Sequence, residues 1–113
     1  MNDMVSRPYV ALLIAGDVAK EDCEAKLKKI SIRKGYRDYR TGDTLLLCCH
    51  LSCWAGPIAR VTEVRHTIAE FITDKECTDD GFENWDDMVE GLKEYYPDFA
   101  EQTPVTVIRW EYQ

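Results

Sequence analysis

Lys29-Ile30-Ser31-Ile32-Arg33, residues 29–33, alternates polar and apolar side chains, the pattern of a strand with one buried face. Thr41-Gly42-Asp43 follows as a turn. Thr44-Leu45-Leu46-Leu47-Cys48-Cys49-His50 then runs apolar without a break, which predicts a second strand covered on both faces. Trp54-Ala55-Gly56-Pro57 interrupts that run, and residues 58–65 read as the next strand, in a hairpin after the Gly-Pro turn. Residues 105–112 are β-rich and unbroken, and give the last strand.

Helical spacing is clearest in Trp85, Met88, Val89, Leu92, Tyr95 and Tyr96, which predict a helix over 85–96. Asn84 is placed to cap it, Asp86 and Asp87 sit where the helix dipole favours negative charge, and Pro97 stops it. Near the start, Ser6 reads as a cap and Pro8 as a first-turn residue, so 9–15 is expected to be a short apolar helix ending at Gly16. The charged stretch 17–27 reads as a second short helix or a solvated loop. Strands outnumber helices and the hairpin spacings favour antiparallel pairing. The expected fold is therefore α+β, a small, mainly antiparallel β-barrel with flanking helices.

A chain of 113 residues is one domain by length. It holds no apolar run of the ~18 residues that span a membrane, and residues 1–7 lack the charged-then-apolar order of a secretion signal, so the expected address is cytoplasmic. Five cysteines in irregular positions suit reduced thiols better than a disulfide framework. Cys48, Cys49, His50 and Cys53 carry metal-ligating atoms, but no second CxxC pair completes a zinc set, and a strand sends Cys48 and Cys49 to opposite faces. No metal and no other cofactor is expected, and His50 and His66 read as structural.

The net charge of −7 argues against broad phosphate binding, but its distribution is uneven. Seven of the 14 basic residues fall between Lys26 and Arg40, and twelve of the 21 acids between Glu70 and Glu101. Tyr36 and Tyr39 are interleaved with Lys34, Arg37 and Arg40, a mixture suited to base stacking and phosphate contact. The expectation is an electropositive rim on an acidic body.

Six short motifs occur in a recognisable order: Leu13-Ile14-Ala15-Gly16, Lys28-Lys29-Ile30-Ser31-Ile32-Arg33, Thr41-Gly42-Asp43, Asp80-Gly81-Phe82, the helix ending Tyr96-Pro97, and Val105-Thr106-Val107-Ile108. Together they resemble the ASCH family of PUA-like domains, in particular its small bacterial N4-acetylcytidine amidohydrolases. The resemblance spans about Arg7 to Tyr112 as one domain over 1–113, with 17–27 as an insertion. It implies an RNA or nucleoside ligand and, in the amidohydrolase members, a lysine proton acceptor, a threonine nucleophile and a glutamate proton donor. The matching positions are Lys28, Ser31 and Asp80, so threonine is replaced by serine and glutamate by aspartate; Glu83 is the alternative acid.

A serine needs a base to take its proton, and a lysine serves only when burial or a nearby cation favours its neutral form. On a regular strand, residues 28 and 31 face opposite ways while Lys29, Ser31 and Arg33 share a face, so Lys28 fits only if it precedes the strand; otherwise Lys29 takes its place. Arg33, Lys29, Tyr36 and Glu83 are the candidate ligand-binding residues, Arg33 foremost because a guanidinium suits a phosphate or a base edge. A nucleoside- or RNA-binding domain and an amidohydrolase are the two expectations. The alternative is a non-catalytic protein-interaction domain built on the acidic C-terminal helix.

Overall fold

The structure is a computed structural model and describes residues 9–14, 21–23, 25–48 and 57–113. Its five strands are β1 (Val10–Leu13), β2 (Ile30–Lys34), β3 (Thr44–Cys48), β4 (Ile58–Ile68) and β5 (Pro104–Tyr112). Between β4 and β5 come a 3-10 turn (Ala69–Phe71) and two helices, α1 (Asp74–Asp79) and α2 (Trp85–Lys93). The strands form one mixed sheet in the order β1-β3-β4-β5-β2. Among the described residues β1 and β3 run parallel, and the other three pairings are antiparallel.

Each sheet face has its own core. Ile30, Ile32, Val105 and Val107 pack on Met88, Val89 and Leu92 of α2 and on Cys77 of α1. Leu12, Leu45, Leu47, Val61, Ile108 and Trp110 form the second cluster on the other face. The alternation in β2 accordingly sends Ile30 and Ile32 toward the helices, while Ser31 and Arg33 take the opposite face.

Several expectations are corrected here. Residues 10–13 are a strand, not part of a helix: Leu12 is buried and Leu13 is 66% exposed, the two-residue period of an edge strand. The helix expected over 85–96 forms with Asn84 as its cap but ends at Lys93. Among the described residues the sheet does not close into a barrel, because β1 and β2 are its two edges. The edge groups are instead occupied by side chains. Arg33 donates to the Leu13 carbonyl, Tyr39 Oη donates to the Ala11 carbonyl at 3.2 Å, and the Ile32 N–H donates to Asp80 Oδ2 at 3.3 Å. Backbone pairing across the seam would compete with these bonds. Cys48 is disulfide-bonded, whereas the irregular cysteine spacing suited reduced thiols better than a disulfide framework. The Cys77 thiol is fully buried and is pushed up to about 11 by burial and by Asp74, Glu76 and Asp80.

Ser6, Pro8, Gly16, Cys49, His50, Cys53 and Trp54 lie outside the described residues. Of the stretch 17–27, residues 21–23 are helical. No helix among the described residues is long and apolar enough to cross a membrane.

Candidate functional site

Lys28 is fixed from a distance. The 21–23 helical turn closes with Lys26 in the left-handed region (φ 62) and with Leu27 N–H on the Asp22 carbonyl at 2.7 Å, a Schellman closure that redirects the chain toward β2. The Lys28 carbonyl then accepts from Trp110 Nε1 at 2.9 Å and from the Tyr112 hydroxyl. Lys28 therefore lies in irregular backbone just before β2, and the opposite-face constraint of a regular strand does not apply to it.

Asp80 arrives from the other side. Thr73 caps α1 reciprocally: its hydroxyl accepts from the Glu76 N–H at 3.1 Å, and Glu76 Oε1 accepts from the Thr73 N–H at 2.9 Å. Asp80 is the C-cap of this short helix, and Gly81 (φ +99) turns the chain immediately after it. Because α1 has only six residues, loss of its capping box should be felt at Asp80. Thr73→Ala is expected to cost about 1 kcal/mol. Thermal unfolding should show this as a midpoint lower by about 5 °C; an unchanged midpoint would show that the cap carries no load.

The two residues meet in an ion pair between Lys28 Nζ and Asp80 Oδ1, with side chains 11% and 8% exposed. Burial raises the Asp80 carboxyl above its ordinary range; Lys28, the Ile32 N–H and Arg33 oppose that rise. On the neighbouring face of β2, Ser31 Oγ accepts from Arg33 Nε at 2.6 Å. The Arg33 guanidinium is lowered from its ordinary value by burial, with Tyr39 and Tyr96 opposing.

Lys28, Ser31, Arg33 and Asp80 all line one cleft of about 380 Å³ at the seam of the sheet, within the size range of small-ligand pockets. Phe82, Tyr95 and Tyr96 form an aromatic side to it with Gly91 in the same lining, and Asp22, Asp79 and Glu94 add carboxylates. Sequence reasoning missed these seven positions as site residues. Gly91 carried the one local signal, a glycine inside a helical pattern.

The other candidates lie elsewhere. Lys29 and Glu83 are exposed and do not line the cleft. Tyr36 is 63% exposed and packs its ring on His66, with centroids 5.3 Å apart. Three of the seven cations of the expected electropositive rim are paired with carboxylates: Lys28 with Asp80, Lys34 with Asp98 at 2.8 Å, and Arg40 with Asp38 at 3.1 Å. Arg37 donates to the Lys34 carbonyl and the Tyr96 hydroxyl, which are neutral acceptors and leave its charge in place. Among the described residues no group of three or more His, Cys, Asp or Glu side chains is placed to hold a metal ion.

No protein-family model matches the chain, and no curated protein matches it at a significant level. Solved structures do. An ASCH domain from Lactobacillus crispatus superposes with a TM-score of 0.70 at 12% identity, over 95% of this chain and 80% of that one. A hypothetical protein gives 0.69 at 15% identity, over 94% of this chain and all of the other. A Pyrococcus furiosus protein solved by NMR gives 0.59 at 15% identity, over 93% and 97%. At these identities the likeness is one of fold: the chain has an ASCH-like α+β fold.

Proposed function

We propose that the cleft binds a cytidine-type nucleoside. The observation that carries this reading is the convergence of Lys28, Ser31, Arg33 and Asp80 on one cleft beside aromatic side chains. The cytosine pairing edge presents one donor, N4–H, and acceptors at N3 and O2. An Asp80 carboxylate accepts, and Lys28 and Arg33 donate, so the cleft offers the complementary kinds of group. The lining also bears on charge. Asp79 is held by Lys75 and Arg109 and Asp80 by Lys28, while among the described residues no cation pairs with Asp22 or Glu94. Such a lining favours an uncharged nucleoside over a phosphate-rich strand.

Amide hydrolysis at N4 is the second reading, favoured by Lys28 and Asp80 being in contact within the cleft that Ser31 lines. As an ion pair, Lys28 is no base. Moving its proton to Asp80 leaves the net charge unchanged and yields an amine and a carboxylic acid, and burial favours the acid form at Asp80. Ser31 Oγ then attacks the acyl carbon as its proton passes to Lys28. The C–N4 bond breaks as Asp80 protonates the leaving nitrogen, and water releases the acyl group from Ser31 as a carboxylic acid.

The test is a titration with cytidine, N4-acetylcytidine and a short single-stranded RNA at two salt concentrations, with a search for cytidine in the acetylated sample. Cytidine binding that changes little with salt is expected, because no phosphate counterions are released. If none of the three binds at low salt, the nucleoside reading is sunk and the protein-interaction alternative stands. Binding without cytidine release would remove the hydrolase reading alone.

A further inference from the structure

We infer that Gly91 sets the width of the cleft by seating Phe82, whose ring is the aromatic wall against which a planar ligand lies. This rests on the nucleoside reading of the same cleft, which both residues line. A Cβ built on Gly91 would lie 2.7 Å from Phe82 Cε1, closer than real Cβ atoms approach a neighbour. Gly91 is inside α2, where glycine is the poorest helix former after proline. Its backbone does not need glycine either, since among the described glycines the positive φ values fall at Gly35, Gly42 and Gly81. What remains is space for the ring.

Phe82 has little choice of position. Gly81 (φ +99) turns the chain, and the Phe82 N–H donates to the Cys77 carbonyl at 2.9 Å. The ring is half-buried against a core in which Met88 and Cys77 are fully enclosed. A methyl group at position 91 therefore cannot push the ring inward without overpacking that core. The open direction is the cleft, and Gly91→Ala narrows it.

The experiment measures the cytidine dissociation constant and the thermal midpoint of the wild type, Gly91→Ala, Phe82→Leu and the double variant. Gly91→Ala should weaken binding about tenfold, the scale of one stacked aromatic. In the Phe82→Leu background the same change should alter binding by less than about twofold, because the clashing ring is gone and the pair is coupled. A purely structural contact would move the midpoints and leave the dissociation constants together. If the wild type binds and either single variant binds equally well, this inference is overturned while the nucleoside reading survives. If the wild type does not bind, both fall. Should Gly91→Ala fail to fold, Phe82→Leu alone decides.

Discussion

Lys28→Met is expected to lower stability at neutral pH by about 3 kcal/mol, because it leaves the Asp80 carboxylate buried and unpaired. The pair is almost out of solvent, at 11% and 8% exposure, so solvent does little to screen the loss. The size of the deficit should depend on pH, and its sign follows from linkage. Burial already raises the Asp80 carboxyl above its unfolded value, and Lys28 is the leading group holding that rise back. Without Lys28 the folded-state value climbs further. Between the wild-type and variant values the folded variant holds more protons than the folded wild type. The variant therefore loses stability relative to wild type as pH rises through that interval. Below the interval Asp80 is neutral in both proteins, and the deficit should vanish or reverse. Denaturant unfolding of both proteins from about pH 4 to pH 8 would measure it. A deficit that is constant across that range would mean that the ion pair does not govern Asp80.

The parts of the fold legible in the sequence were those with a period long enough to read. The alternation around Ile30–Arg33 and the stripe through Met88, Val89 and Leu92 each exceed one repeat, and both elements form with Ile30, Ile32, Met88, Val89 and Leu92 buried. The apolar run 9–15 has no polar residue to set a period, so it fits a short helix as well as a strand; the pairing of Val10–Leu13 with Leu45–Cys48 decided the matter. α1 buries a single side chain, Cys77, so it had no stripe, although the Thr73-to-Glu76 capping box was there to be seen. At the site, the placement of Lys28 depends on Trp110 and Tyr112, more than 80 residues later, which no local pattern reveals. The partial pairing of the basic rim was hidden for the same reason. Its cations cluster in sequence, but Asp80 and Asp98, which neutralise Lys28 and Lys34, come from across the chain.

Arg33→Ala is expected to have the largest effect on ligand binding, about 1–3 kcal/mol if the guanidinium contacts the base edge through two bonds. Arg33 is a cleft cation not neutralised by a carboxylate among the described residues; its Nε is held by Ser31 Oγ and its Nη2 by the Leu13 carbonyl. Those two bonds fix the plane of the guanidinium and leave its remaining N–H groups for a ligand. The bond to Leu13 also ties the sheet's two edges together, so a loss of binding alone would not separate contact from scaffolding. Arg33→Lys separates them. An ammonium keeps the charge and can replace one bond, but it cannot hold the seam and present a planar fork at once. If Arg33 reads the ligand, the lysine variant should restore much of the thermal midpoint and little of the affinity. If Arg33 only staples β2 to β1, affinity and midpoint should recover together. The affinity loss should also be nearly the same at low and high salt, because a bidentate contact to an uncharged base releases no counterions. A loss confined to low salt would instead identify a phosphate as the group that Arg33 meets.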